Sequence, residues 1–353
     1  MSPDSSAIWL KPLRRGLVIP ACPLALDAGR KFDEETQRRL LRYYFSAGAG
    51  GLAVGVHTTQ FALREPQHNL FKTILRVAGE EMDSTDQNRQ EPLVRVGGIC
   101  GQTRQALAEA EVLRECGYHA GLLSLSAMKQ SSESEIIEHC RRVAGVVPLF
   151  GFYLQPAVGG RVLPYSFWRR FAEIDNVVAI KIAPFNRYQT IDVIRAVVDA
   201  GRDDIALYTG NDDNILMDLL SVFSFRRGTD LVERRFAGGL LGQWAVGTNA
   251  AVRILEQCQK VRENSEIPQA LLRLSNELTD LNAAVFDAAN GFQGCIAGIH
   301  EILRRQGLLN GIWCLDPQEG LGPGQAAELD RVWSAYPELL DREFLPGYSD
   351  GRR

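Results

Sequence analysis

Residues 177–183 read Val-Val-Ala-Ile-Lys-Ile-Ala, an apolar run broken only by one lysine. A strand with one wet face alternates apolar with polar, whereas a run apolar throughout belongs to a strand covered on both faces, as in parallel sheets. Residues 120–126, Ala-Gly-Leu-Leu-Ser-Leu-Ser, have a similar character. Outward from these two, further runs rich in Val, Ile and Leu occur at 16–21, 51–56, 93–97, 147–154, 205–209 and 236–241. With 120–125 and 177–182 they make eight expected strands. Amphipathic stretches separate them at 34–46, 65–78, 103–115, 133–144, 164–173, 190–199, 214–223 and 248–260. Eight strands in strict alternation with eight helices predict an α/β chain, a (β/α)8 barrel. An open doubly wound sheet is the alternative, disfavoured because no GxGxxG opens any helix. Helical stretches without strands follow at 268–288, 293–306 and 323–334. The expected division is therefore a barrel over 1–263 and a helical appendage over 264–353 packed on it. Only the first few and last few residues read as disordered.

Hydrophobic residues make up 45% and charged residues 23%, the balance of a soluble globular chain able to bury a large core. With a net charge of −4 and no basic stripe, nucleic acid is not an expected partner. The first residues lack the apolar run of a secretion signal, and no stretch approaches the roughly 20 apolar residues that span a bilayer, so a cytoplasmic chain without membrane contact is expected. Seven scattered cysteines without a CxxC pair read as free thiols. Five histidines form no HxH or HExxH cluster, so no metal is expected. Arginine outnumbers lysine by 33 to 6, which makes a lysine inside an apolar strand conspicuous.

That lysine is Lys181, near the C-terminal end of the sixth strand, where (β/α)8 barrels place their chemistry. Desolvation disfavours an ammonium, lowers its pKa and frees the amine for imine formation. A structural reading stands beside this one: a lysine paired with a buried carboxylate, or snorkelling to the barrel mouth. Tyr153 ends the fifth strand, 28 residues earlier (181 − 153). Neighbouring strands run about 4.8 Å apart, so two inward side chains at one height would meet, and a phenol there could shuttle protons. The alternative is a core tyrosine bonded to backbone. Thr58 and Thr59, just past the second strand, could hold a carboxylate or could merely shape a turn.

Together these features resemble the dihydrodipicolinate synthase / N-acetylneuraminate lyase family of class I aldolases, over essentially the whole chain. GLVIPACPLALD resembles the family's first strand and turn, and GLAVGVHTTQFAL its threonine-pair segment. VGGICGQTRQALAEA matches the third strand and the helix start after it. FYLQPAVGG with NVVAIKIAP carries the tyrosine and lysine at the family's separation. YTGNDD and GQWAVGTNAAVRIL resemble the seventh and eighth strand ends. The resemblance implies Lys181 as imine lysine, Tyr153 as proton shuttle, and Thr58 and Thr59 as cradle for a 2-oxo acid carboxylate. It also implies a homo-oligomer, dimer or tetramer. Gly210 is a candidate for backbone contacts to substrate at the mouth of the seventh strand and Trp244 for the pocket rim, and no cofactor is expected because lysine itself supplies the covalent chemistry.

The sequence departs from the family's lysine-biosynthetic members at telling places. Ser126 and Ala127 stand where those members carry a tyrosine pair. Val158 replaces their arginine for a second carboxylate, and Gln60-Phe61 replaces Gly-Glu after the threonines. True dihydrodipicolinate synthase activity is therefore not expected, and the sugar-binding residues of sialic acid lyases find no match. Met128, Phe61, Trp244 and Val158 would give an apolar rim suited to an acceptor with an apolar body. Asn211 and Asp212 are candidates for substrate hydroxyls or helix capping, and His57 for an extra acid or base. The expected reaction is cleavage or formation of a C–C bond between a pyruvate-like 2-oxo acid and an aldehyde. A dehydratase using the same imine is the nearest rival, and a non-catalytic 2-oxo acid sensor or scaffold is the rival of another class.

Overall fold

The computed structural model describes residues 8–345 except Glu263 and Ser265. The termini expected to be disordered, and Glu263 at the expected domain boundary, lie outside the described residues. The strands are β1 Val18–Pro20, β2 Gly51–Val54, β3 Val94–Ile99, β4 Ala120–Leu123, β5 Leu149–Leu154, β6 Val177–Ala183, β7 Ala206–Thr209, β8 Phe223–Arg227, β9 Asp230–Arg234 and β10 Gly238–Leu241. The helices are α1 Leu10–Arg15, α2 Glu34–Ser46, α3 Phe71–Asp86, α4 Thr103–Glu115, α5 Glu133–Ala144, α6 Tyr165–Ala172 and α7 Arg187–Asp199. They continue with α8 Ile215–Leu220, α9 Thr248–Val261, α10 Gln269–Val285, α11 Cys295–Arg305 and α12 Gln325–Ala335. Eight parallel strands with helices between them make the (β/α)8 barrel, and C-terminal helices follow it.

The chain forms two compact units. Among the described residues the first comprises 8–17 with 94–240, the second 18–93 with 241–345. In the first unit the parallel order is β10-β7-β6-β5-β4-β3. Strand β6 is buried along its length except at Lys181, as its apolar sequence requires. Its N-terminal approach is pinned by Arg202, which donates to the carbonyls of Ala172, Ile174 and Val177 and to the Asp204 carboxylate. A planar five-donor guanidinium can serve several carbonyls at once, which a lysine ammonium does less well. Helix α5 opens on a capping box: Ser132 Oγ accepts from Glu135 N–H, and Glu135 accepts from Ser132 N–H. Asn186 caps α7 through Gln189 N–H.

The expected alternation is interrupted once. Between α8 and β10 the chain inserts an antiparallel hairpin, β8–β9, turning at Gly228 with φ +65°. Arg227 and Arg234 tie it to Asp203 at 3.0 and 3.5 Å. Helix α1 is a further unanticipated element: Leu10 and Leu13 are buried, and Leu13 C=O accepts from the Tyr208 hydroxyl at 2.8 Å.

In the second unit β1 and β2 run side by side, with Cys22 N–H donating to Ala53 C=O at 2.8 Å. Asp33 caps α2 through Thr36 N–H at 3.0 Å. Helix α3 begins at Phe71 rather than at the expected 65, because Gln60 and Asn69 both adopt positive φ and the chain between them forms turns. The C-terminal helices share this unit. Gln325 Nε2 donates to the carbonyls of Ala284, Val285 and Gly294, joining α10, α11 and α12. Asp341 caps α9, accepting from Asn249 and Ala250 N–H at 2.7 and 2.8 Å, and also accepts from Tyr43 hydroxyl.

Candidate active site

In the first unit the site grows from strand register. Lys181 pairs with Phe152 on β5 and Tyr208 on β7. Side chains alternate faces along a strand, so paired residues share a face. Lys181 Nζ lies over the Phe152 ring, 4.6 Å from its centre. The Phe150 and Tyr208 rings meet edge-on at 5.3 Å on the same face. At β7 the chain carries Gly210, whose side-chain position is already taken. A Cβ there would fall 2.5 Å from Lys181 Cε and 2.9 Å from Ala183 Cβ. Lys181 is thus a half-buried amine laid against a glycine backbone with an aromatic ring under its head.

The other face belongs to the helices. Gly151 faces Phe171 of α6 so closely that a Cβ would fall 2.7 Å from its ring. Tyr153 is two residues on and therefore on that face. It pairs with Ile182, is fully buried, and lies 5.1 Å from the Trp168 ring of α6. Its hydroxyl donates to Leu163 C=O at 3.2 Å and accepts from Leu163 N–H at 3.1 Å. Burial pushes the phenol pKa up. The structure therefore does not bring Tyr153 to Lys181. The cause is a one-residue slip. Leu149 pairs with Val177 (177 − 149 = 28), but Phe150 pairs with Ala179 (179 − 150 = 29). A slip of one residue turns a side chain to the opposite face. Without it, the 28-residue separation would have set Tyr153 beside Lys181.

Past Gly210 the turn is held rigidly. Asn211 is buried; its Nδ2 donates to Asp218 Oδ2 at 2.9 Å and to Thr190 Oγ1 at 3.3 Å, and its Oδ1 accepts from Phe185 N–H at 3.1 Å. Asp218, fully buried, also accepts from Thr209 at 2.6 Å and pairs with Arg187 at 2.6 Å. Asn211 thus spends its amide on the scaffold. Asp212 does something else. The residue is half-buried overall but its Oδ1 is shut off from solvent, and loss of hydration pushes its carboxyl up to about 7. The positive charge of Lys181 opposes that rise.

The loops after β4 and β5 stand where the departures from the family fall. Ser126 Oγ is 3.0 Å from Ser124 Oγ, and Met128 is buried. Val158 is half-buried in the turn Pro156–Val158. The segment does contain an arginine, Arg161, but its Nη1 donates to the carbonyls of Met128, Lys129 and Ser131. It clamps one loop to the other.

In the second unit Thr58 and Thr59 lie in the turn His57–Thr59 after β2. Thr59 Oγ1 donates to Cys22 C=O at 2.6 Å and accepts from Gly55 and Val56 N–H. That hydroxyl shapes the turn, and Thr58 is the member of the pair whose hydroxyl is not spent this way among the described residues. Gln60 follows at φ +69°, buried, its Oε1 accepting from Leu315 N–H at 2.6 Å. The C-terminal stretch is thereby tied to the threonine turn. His57 meets Phe61 edge-on at 5.8 Å. Trp244 sits fully buried in the turn after β10, its carbonyl accepting from Thr248 at 2.6 Å. Among the described residues no group of three His, Cys, Asp or Glu could hold a metal, and no helix is long and apolar enough to cross a membrane.

Residues 15–332 match the Dihydrodipicolinate synthetase family. The chain belongs to that family. N-acetylneuraminate lyase 2 of Escherichia coli O6:H1 is 24% identical over 330 residues, covering 92% of this chain and 94% of the relative. Dihydrodipicolinate synthase from Oceanobacillus iheyensis shares the fold with a TM-score of 0.73 at 14% identity, over 93% of this chain and 99% of that one. A prophage protein of the dihydrodipicolinic acid synthase family from E. coli K12, solved in complex with pyruvate, gives 0.72 at 17% identity, over 91% and 98%. The family is one of lyases of the class I aldolase type, and this chain is an enzyme of that type.

Proposed function

We propose that the chain forms an imine between Lys181 and a pyruvate-like 2-oxo acid, and makes or breaks a C–C bond to an aldehyde. The placement of Lys181 carries the reading. It is an amine inside an otherwise apolar strand, packed on Gly210 and Phe152 at the C-terminal end of β6. An amine so shielded is available as a nucleophile, and its protonated imine accepts the electron pair of the breaking bond. Lysine supplies the covalent chemistry.

Dihydrodipicolinate synthesis is not the proposed reaction. Arg161 is committed to three loop carbonyls, and Val158 stands where the lysine-biosynthetic members carry the arginine for a second carboxylate. An acceptor aldehyde with an apolar body fits this composition better than a dicarboxylate precursor.

The test is incubation with pyruvate and borohydride, followed by intact mass and peptide mapping. A reduced adduct on Lys181, absent from Lys181→Ala, is the expected result, followed by release of pyruvate from a 4-hydroxy-2-oxo acid with an aromatic substituent. Adduct formation with no turnover of any aldol or dehydration substrate would make the chain a 2-oxo acid sensor instead. No adduct with pyruvate or with larger 2-oxo acids would sink the imine.

A further inference from the structure

We propose that Asp218 is a positioning residue for Lys181: its buried carboxylate fixes the turn after β7, and through Gly210 of that turn it holds the amine in place. The assignment rests on the imine reading above and adds a residue that acts on the lysine through another.

Every link from the carboxylate to the lysine chain is a contact within one unit. Asp218 Oδ2 accepts from Thr209 Oγ1 at 2.6 Å and from Asn211 Nδ2 at 2.9 Å, the residues on either side of Gly210. Asn211 N–H donates in turn to Thr209 Oγ1 at 3.2 Å, which closes the turn around the glycine. Gly210 N–H donates to the carbonyl of Ile182, the residue after Lys181 on β6, at 2.8 Å. Asn211 Oδ1 accepts from the N–H of Phe185, where the chain leaves β6 at φ +50°. The ends of β6 and β7 are therefore fastened to each other, and the lysine chain lies in the room that Gly210 leaves. A Cβ there would fall 2.5 Å from Lys181 Cε and 2.9 Å from Ala183 Cβ, so a shift of the turn is passed to the amine.

The other oxygen, Asp218 Oδ1, pairs with Arg187 at 2.6 Å and accepts from Asn214 Nδ2 at 3.2 Å. Donors from β7, from the turn after it and from the start of α7 thus converge on one carboxylate. Asp218 is fully buried in the short helix α8, where a charge is a poor means of adding stability. Taking a carboxylate out of water is costly, and apolar residues of similar volume often serve stability as well as a buried ion pair. An apolar residue cannot receive Thr209 and Asn211 on one oxygen. That double acceptance fixes both flanks of Gly210 at once, and holding a reacting group in one geometry is worth far more in rate than in stability.

The experiment reads Lys181 in two ways. One is the initial rate of borohydride-trapped pyruvate adduct over a range of pyruvate concentrations. The other is acetylation of Lys181 by acetic anhydride relative to the other lysines, followed by peptide mass spectrometry. The variants are Asp218→Asn, Thr209→Val and Thr209→Ser, with Ser132→Ala, which loses the α5 cap, as control. Far-UV circular dichroism and urea midpoints establish that each is folded. Asp218→Asn and Thr209→Val should trap about 10-fold more slowly at saturating pyruvate, with the half-saturating concentration unchanged. Thr209→Ser keeps the hydroxyl and should return to the wild-type rate. Thr209→Val changes no charge, so its altered Lys181 acetylation would report position rather than field. Combined with Gly210→Ala, Asp218→Asn should lose less than the product of the two single losses, because both act on one contact. Ser132→Ala should lower the midpoint and leave trapping and acetylation alone. Lower midpoints in Asp218→Asn and Thr209→Val with wild-type trapping would make the network structural only and overturn the assignment while the imine stands. So would Thr209→Ser as slow as Thr209→Val. No Lys181 adduct in wild type with pyruvate, 2-oxobutyrate or phenylpyruvate would remove the imine reading. Altered acetylation in Thr209→Val would then still uphold the positioning, and unaltered acetylation would overturn it as well.

Discussion

Gly210→Ala tests the placement of the amine most directly. The added Cβ would fall 2.5 Å from Lys181 Cε, 3.1 Å from its Cγ and 2.9 Å from Ala183 Cβ. Ordinary carbon contacts begin near 3.5 Å, so about 1 Å must be found. Ala183 is part of β6 and cannot yield without moving the strand, so most of the displacement falls on the lysine chain. Overpacking of this kind costs about 1–3 kcal/mol of stability. The functional effect is larger, because a displacement of about 1 Å at a reacting atom costs on the order of 100-fold in rate. We expect Gly210→Ala to remain folded, with a slightly lower midpoint in urea, and to form the trapped pyruvate adduct about 100-fold more slowly. Gly201→Ala is the control. Gly201 has φ +68° but no atom within 4 Å of a built Cβ, so it costs backbone strain without touching the lysine. Its midpoint should fall while its trapping rate stays at the wild-type value. If Gly210→Ala trapped as fast as wild type, the packing of Lys181 on that glycine would have no bearing on its reactivity.

Four further outcomes follow from the same geometry. Tyr153→Phe strips Leu163 of its partner for both N–H and C=O in a buried setting and should cost about 1–3 kcal/mol in urea unfolding; no loss would mean the phenol is not structural. Asp341→Ala removes three acceptor bonds that hold α9 and Tyr43, and should lower stability by about 3 kcal/mol or more, with Asp341→Asn losing less. Gln60→Ala orphans the buried Leu315 N–H and should cost about 1–3 kcal/mol in urea unfolding; no loss would mean that this bond does not tie the C-terminal stretch to the threonine turn. The raised midpoint of Asp212 has its own signature in stability. The folded chain keeps this proton up to about pH 7, whereas the unfolded chain releases it near 3.8. The stabilisation is complete below about 3.8 and is lost as pH rises towards and through 7. Denaturant midpoints of wild type should therefore fall relative to Asp212→Asn across that window, and parallel curves would mean that the carboxyl is not buried as described.

The barrel was open to reading because its strands are covered on both faces. Runs such as 177–183 have to be apolar throughout, and that demand is written residue by residue. The candidate site divides differently. Lys181 announces itself by being the wrong residue type in such a run. The β8–β9 hairpin also had a signal, since residues 223–234 alternate around Gly228-Thr229, but the run is charged and lies where a helix was expected to end. The face that Tyr153 takes had none. A separation of 28 residues states that Tyr153 lies one βα unit away, but it does not state on which face, because parity depends on hydrogen bonds made between strands. One slipped pair at Leu149/Phe150 reverses the answer.

Asp212 was opaque for a related reason. Asp in a post-strand turn is ordinarily a cap or a hydroxyl ligand, and only burial of its carboxyl changes what it can do. Residues on one face of a parallel sheet compete for the space above it, and Phe152 holds the place beside Lys181 that a tyrosine would need. With an aromatic hydrocarbon there instead of a phenol, Lys181 packs on the Phe152 ring and the Gly210 backbone. Gly210 leaves open the room that the lysine chain occupies, so the glycine after β7 and the phenylalanine of β5 together fix where the amine stands.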